Sequence, residues 1–202
     1  MSAESISLTG KILGATLFYP PGSQEVQPLV ALLKSSDWAP LWPCATEDAK
    51  AQATEMLSQT ESAEESIDDA YQRLFIGPYA LPAPPWGSVY LDKESVVFGD
   101  STLALRQWMR ENHIGPQLTQ AEPEDHIGLM LMMCAWLAEN SPSLLNAFLT
   151  VHLLPWAGRY LELLRQKADH PFYVGVAILA ESTLAGWQQA LAIETPVAKL
   201  YF

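Results

Sequence analysis

The sequence predicts an all-α fold: a single-domain helical bundle with one long loop rich in proline and aromatic residues. Apolar residues recur at steps of three and four in nearly every segment, and the alternation typical of strands is nearly absent. With 202 residues, 49% of them hydrophobic, the chain is long enough for one hydrophobic core and differs from a disordered chain. We therefore expect one helical domain spanning residues 1–202.

Proline, glycine and capping residues predict where each element begins and ends. Ser62, with Glu65 three residues later, forms a capping-box pattern, and Asp100 or Ser101 is a suitable N-cap further on. Pro123 suits the first turn of the apolar helix that follows it. The predicted elements are helices over 5–18, 24–33 and 46–75 (broken near 60–63), a loop over 77–101, and helices over 100–112, 122–140, 143–153, 156–167 and 171–191.

The apolar segment 127–138 predicts the central helix of the bundle. It is hydrophobic nearly all round, which is typical of a helix enclosed by others. At about a dozen residues it is shorter than the roughly 20 needed to cross a bilayer. The first residues carry no basic region followed by an apolar one, so we expect no secretory signal, no stable membrane insertion and a cytoplasmic location.

Acidic residues outnumber basic ones, 23 to 11, and give a formal net charge of −12. This balance opposes binding to nucleic acid or to an anionic membrane surface and favours a cationic partner. Many of the acids lie between residues 47 and 69. They form either a solvated helix face or an anionic surface for a basic ligand.

No pattern in the sequence points to catalysis. The four histidines are scattered without metal-ligand spacing, no phosphate-binding glycine loop is present, and the two cysteines lie far apart. On the residues alone an enzyme is the weaker class of protein, and we expect no metal and no cofactor. Two features stay open: the acidic run 122–126 is a helix start or a ligand site, and the aromatic stripe from Tyr71 to Phe75, with the loop after it, is core or a groove.

Four stretches resemble the TorD/DmsD family of redox enzyme maturation chaperones, and the likeness extends over essentially the whole chain. They are 71–78 (YQRLFIGP), 84–90 (PPWGSVY), 98–102 (FGDST) and 122–126 (EPEDH). The resemblance implies an all-helical cytoplasmic chaperone without catalytic activity. Such a chaperone binds the twin-arginine signal peptide of a molybdopterin-containing reductase and delays its export until the cofactor is loaded.

The resemblance also implies the binding residues and the partners. Partners are the twin-arginine leader of a molybdopterin oxidoreductase catalytic subunit and, beyond it, components of the twin-arginine translocation (Tat) machinery. Two alternatives remain: a guanine-nucleotide-binding switch and a structural helical subunit of a reductase assembly. The implied signal-peptide-binding residues are Tyr71, Leu74, Phe75, Tyr79, Pro85, Trp86, Tyr90, Gly99, Glu122, Pro123, Asp125 and His126.

Overall fold

The computed structural model describes residues 2–115, 122–195 and 197–202, and every regular element within them is helical. This confirms the predicted all-α class. Two further helical turns, 72–76 and 149–153, are wound more loosely than an α-helix and continue α4 and α8. The α-helices are α1 (Ala3–Phe18), α2 (Gln27–Lys34), α3 (Glu47–Ser58), α4 (Ile67–Tyr71), α5 (Gly87–Leu91), α6 (Asp100–Glu111), α7 (Ile127–Asn140), α8 (Pro142–Phe148), α9 (Leu154–Lys167) and α10 (Pro171–Ala190).

Helices α1 and α7 cross with their backbones in contact, because glycines lie at the crossing. A Cβ atom added to Gly128 would lie 2.6 Å from the carbonyl oxygen of Gly14, and one added to Gly14 would lie 2.7 Å from that of Gly128. Real Cβ atoms essentially never come this close to a backbone oxygen. The position of α7, whose first residue follows the acidic run 122–126, is therefore set by direct backbone contact with α1.

One hydrophobic cluster joins α7 to the helices around it. Helix α10 packs between α3 and α9. Its first turn is capped by His170, whose Nδ1 accepts a hydrogen bond from the N–H of Phe172 at 3.2 Å. The largest fully buried side chains of the cluster are aromatic: Trp156, Trp187, Tyr90, Tyr160, Tyr173, Phe148 and Phe172.

The predicted start of one helix is wrong, and the predicted N-cap of another is wrong although its extent from residue 100 is confirmed. Ser66, not Ser62, caps α4, and Glu65 bonds the guanidinium of Arg73 instead of completing a capping box. Helix α6 begins after Gly99, and the carboxylate of Asp92, 3.1 and 3.2 Å from the N–H of Ser101, satisfies its first turn.

The predicted loop over 77–101 is not a loop throughout. Its middle forms the short helix α5, whose side chains are largely buried. Four prolines precede it, at 78, 82, 84 and 85. They interrupt the apolar periodicity by which a helix is predicted from a sequence. Tertiary contacts stabilise it, since five residues are too few for a helix that stands alone.

Candidate functional site

The loop before α5 and the segment before α7 pair with each other at the centre of the candidate site. Trp86 and His126 form an isolated antiparallel bridge. The N–H of Gly87 donates to the carbonyl oxygen of Asp125 at 3.0 Å, and the N–H of Ile127 donates to that of Pro85 at 2.8 Å. The prediction that the apolar helix opens at residues 122–123 is therefore wrong: the segment 122–126 is not helical, and its last residues bond the loop.

Asp125 fastens this pairing to α5. The residue is only 3% exposed, and its Oδ2 accepts a hydrogen bond from the N–H of Ser88 at 2.7 Å. Burial raises the pKa of Asp125, and the hydrogen bond from Ser88 opposes that rise. The first role of this carboxylate is to hold the start of α5 in place.

His126 caps α7 in the neutral form. Its Nδ1 accepts a hydrogen bond from the N–H of Gly128 at 3.1 Å, so the ring proton is on Nε2. The ring packs edge-on against Phe18, with centroids 5.1 Å apart, and against Trp86 at 6.2 Å. Burial lowers the pKa of His126 to about 3, so the ring stays uncharged at neutral pH.

Glu122 is a partly buried acid of this segment that bonds the paired loop. Its Oε1 accepts a hydrogen bond from the indole N–H of Trp86 at 2.5 Å. Partial burial raises the pKa of Glu122; the indole hydrogen bond opposes the rise and the negative charge of Asp125 adds to it. None of the ion pairs formed by described residues includes Glu122. A cation that reached this carboxylate would relieve its unfavourable environment.

Six of the twelve predicted site residues lie together in the structure, and a seventh, Tyr71, is linked to them. Pro85, Trp86, Glu122, Pro123, Asp125 and His126 belong to the two paired segments. Tyr71 is linked to them through Phe18. The hydroxyl of Tyr71 donates to the carbonyl oxygen of Phe18 at 2.7 Å, and the ring of Phe18 packs on His126. Burial, together with the charge of Glu122, raises the pKa of Tyr71 to about 12.

The remaining predicted residues lie elsewhere. Leu74, Phe75 and Tyr90 are buried in the core, and Tyr90 stacks on Trp156 with ring centroids 5.5 Å apart. The aromatic stripe is therefore core packing and not the wall of an open groove. Gly99 lies at the start of α6.

Tyr79 belongs to the loop before α5 but lies away from the part of it that pairs with the segment 122–126. It is 86% exposed, at the edge of a wide hollow of about 940 Å³ whose lining includes neither Pro85 and Trp86 nor any residue of 122–126. Acidic and basic side chains both line this hollow, and two of them, Glu65 and Arg73, are paired with each other.

A methionine-rich groove lies next to the paired segments, and its lining residues were not among the predicted site residues. It has a volume of about 470 Å³ and includes Glu124, whose Oε2 accepts from the Arg106 Nε at 2.6 Å. Trp136 is 43% exposed in it. The feature of the sequence that could have indicated it is that α7 is apolar all round. One face of α7 packs in the core, and the other face lines this groove. Its apolar lining residues are Tyr19, Met109, Ile114, Leu129, Met132, Met133 and Trp136.

Neither a membrane-spanning helix nor a metal-ligand cluster occurs among the described residues. No helix in that part of the chain is both long and apolar enough to span a bilayer. No three His, Cys, Asp or Glu side chains within it are grouped so that they could hold a metal ion.

Two histidines, the buried His126 and the partly buried His152, predict a loss of stability in acid. Each is neutral when folded, with a pKa lowered by burial to about 3 for His126 and about 4 for His152, whereas the unfolded chain binds their protons near pH 6.5. The unfolded state therefore takes up more protons as pH falls below 6.5, and stability is lost. For His126 alone we expect a loss of about 2 kcal/mol at pH 5 relative to pH 7.5. Raised carboxyl pKa values, as at Glu122 and Asp125, act in the opposite direction.

Urea unfolding at pH 7.5 and pH 5 isolates the contribution of His126. Asn is a good N-cap and does not titrate, so His126→Asn keeps an acceptor for the first turn of α7. We expect the free energy of unfolding of this variant to fall by about 2 kcal/mol less than that of the wild type between the two pH values. His113→Asn, at an exposed histidine, is the control. An equal fall in His126→Asn and wild type would contradict this assignment.

Comparison with known proteins shows which class of protein has this helical fold. The family model of the nitrate reductase delta subunit matches residues 40–162. A redox enzyme maturation protein of Archaeoglobus fulgidus, known from a crystal structure, has the same fold: it is 16% identical, with a TM-score of 0.54 over 85% of this chain and 91% of that one. The chain belongs to the TorD/DmsD family of redox enzyme maturation chaperones, as its sequence predicts.

Two relatives within this family share a more specific name. The chain is 49% identical to the Tat proofreading chaperone DmsD of Salmonella typhimurium over all 202 residues, which cover 98% of that relative. It is 42% identical to a DmsD of Haemophilus influenzae over 98% of this chain and 97% of the relative. Both relatives are named as chaperones, and this protein is accordingly a chaperone and not an enzyme.

Proposed function

We propose that the protein is a cytoplasmic Tat proofreading chaperone that binds the twin-arginine signal peptide of a molybdopterin-containing reductase. Binding delays export until the reductase has received its cofactor and folded. Residues 1–202 act as one chaperone domain, an assignment supported by the single hydrophobic cluster that joins the helices. The observation that carries the proposal is that carboxylates and an apolar groove lie side by side in the segment 122–126 and along α7.

Glu122 is suited to the basic part of such a leader. It accepts a hydrogen bond from the indole of Trp86, which holds one carboxylate oxygen in place. A guanidinium group would add charge-assisted hydrogen bonds, which are about twice as strong as neutral ones. The net charge of −12 attracts a basic segment as it approaches.

The methionine-rich groove is suited to the apolar part of the leader. Its volume of about 470 Å³ lies within the roughly 300–1,000 Å³ of ordinary ligand pockets. Methionine side chains are flexible and polarizable, so they adapt to different apolar segments. Because Glu124 lines the groove two residues after Glu122, a basic stretch followed by an apolar one can contact both places.

The partners follow from this assignment. The client is the catalytic subunit of a molybdopterin oxidoreductase, recognised through its leader, and components of the Tat translocase are further partners. The full-length similarity to relatives named Tat proofreading chaperones supports this choice.

A substitution in the groove tests the proposal. The probe is a synthetic peptide with two consecutive arginines followed by an apolar stretch, titrated calorimetrically into the whole protein. We expect Trp136→Glu to weaken binding at least tenfold, because it places a charge against the apolar segment. Leu41→Glu, at a residue 81% exposed and outside the groove, is the matched control and should bind like the wild type.

The same titration distinguishes the other outcomes. Thermal unfolding of both variants should match that of the wild type, since both residues are exposed. If Trp136→Glu binds the peptide as tightly as Leu41→Glu does, the groove is not the binding place. If the wild type binds GTP with magnesium but not the peptide, the nucleotide-switch alternative replaces the proposal.

A further inference from the structure

The lining of the methionine-rich groove includes the thioether side chains of Met109, Met132 and Met133. Met132 and Met133 are partly exposed, whereas Met109 is only 3% exposed. Met130, two residues before Met132 on α7, is buried in the core and 1% exposed. Helix α7 therefore carries methionines in two environments, one closed to solvent and one open to it.

A thioether differs from the aliphatic side chains of the groove because its sulfur can be oxidised. Hydrogen peroxide transfers one oxygen atom to the sulfur: its O–O bond breaks, an S=O bond forms, and the second oxygen leaves with both hydrogens as water. The sulfur is oxidised and the peroxide is reduced, so the step needs no further reactant. The product, methionine sulfoxide, is polar where the thioether was apolar.

The two cysteines do not line this groove. Cys134 is fully buried, and burial raises the pKa of its thiol. Cys44 lines a different hollow, next to α10, and burial raises the pKa of its thiol as well. Because the thiolate is the reactive form of cysteine, both are poor targets at neutral pH. The methionines are therefore the oxidisable sulfur atoms of the groove.

We propose that Met132 and Met133, the groove methionines, are an oxidation site that regulates leader binding: their sulfoxides weaken binding, and reduction of the sulfoxides restores it. The inference rests on the proposed function, because it assigns a regulation to the same groove. Both side chains line the groove from consecutive positions of α7 and both are partly exposed, so a peroxide reaches them from solvent. Met109 and Met130 are protected by their burial.

A sulfoxide in the groove opposes the apolar part of the leader and leaves the acidic part of the site unchanged. Its oxygen accepts hydrogen bonds from water, and an apolar segment laid over the groove removes that water without supplying a donor. Glu122 does not line the groove and keeps its hydrogen bond from Trp86. Oxidation therefore weakens the apolar contact selectively.

The test compares leader binding before and after treatment of the whole protein with hydrogen peroxide. Mass spectrometry of proteolytic peptides measures the sulfoxide content at each methionine. The probe is the synthetic peptide with two consecutive arginines followed by an apolar stretch, titrated calorimetrically. One variant combines Met132→Leu with Met133→Leu, which removes both sulfur atoms at similar side-chain volume. The matched control is Met56→Leu, at a partly exposed methionine of α3 that does not line the groove.

We expect the groove methionines to be oxidised before Met109 and Met130, and the dissociation constant of the wild type to rise at least tenfold. Met56→Leu should show the same rise, whereas the double variant should keep the affinity that it had before treatment. Methionine sulfoxide reductase, which returns the thioether, should restore binding by the oxidised wild type. An equal rise in the double variant, or unchanged binding by the oxidised wild type, would overturn the proposal.

Thermal unfolding of the oxidised protein distinguishes a regulated groove from a damaged fold. The Cγ of Met132 would lie 2.7 Å from a Cβ added to Gly14, so this side chain also packs at the crossing of α1 and α7. If oxidation lowers both thermal stability and binding, and Met132→Leu alone prevents both losses, oxidation separates the two helices and the proposal is overturned. If the untreated wild type does not bind the peptide, the proposed function itself fails.

Discussion

Gly128→Val is expected to lower the free energy of unfolding by about 3 kcal/mol, the upper part of the range for overpacked positions. The first atom of any side chain at this position would lie 2.6 Å from the carbonyl oxygen of Gly14 and 3.0 Å from the backbone nitrogen of Phe18. Backbone atoms cannot rotate away as a side chain can, so α1 and α7 must separate. Separation would uncover part of the core and displace the residues that precede α7.

Gly158→Ala is the matched control for this substitution. Gly158 lies inside α9, and no atom would come within 4 Å of an added Cβ. Alanine there should stabilise the protein by about 0.5–1 kcal/mol, because glycine is a poor helix former and alanine restricts the unfolded chain. Chemical denaturation of both variants measures the two effects. Equal stability of Gly128→Val and wild type would show that the two helices are not in backbone contact.

Asp125→Ala is expected to reduce both stability and leader binding. The substitution leaves the N–H of Ser88 without its acceptor in a buried place, which costs about 1–3 kcal/mol. It also removes one of the acidic residues that the family resemblance implies in signal-peptide binding. A loss of binding in this variant alone would therefore not separate a damaged fold from a missing contact.

Asp125→Asn separates the two effects. The amide oxygen can still accept from Ser88, and the neutral side chain avoids the cost of burying a charge, so stability should remain within about 1 kcal/mol of the wild type. Binding of the paired-arginine peptide should nevertheless fall at least tenfold. Unfolding curves and calorimetric titrations of both variants provide the comparison. If Asp125→Asn binds like the wild type, the charge of Asp125 has no part in recognition.

The sequence alone was sufficient to predict the fold class, because helix formation depends on residues that are close together along the chain. Each helical segment shows the apolar periodicity of a helix. Proline and glycine end these segments because of their own backbone preferences. The family resemblance then selected a set of residues, six of which the structure places in the two paired segments. Their being neighbours in space was not visible in the local pattern.

The tertiary structure decided what depends on groups distant along the chain. Whether Tyr90 lines a groove or the core is set by Trp156, 66 positions later. The start of α7 is set by two backbone hydrogen bonds, one donated to Pro85 and one donated by Gly87. The methionine-rich groove draws its lining from α6, from α7 and from Tyr19 at the end of α1. Periodicity reports which face of a helix is apolar, but only the packing of helices determines whether that face is covered or left open for a ligand.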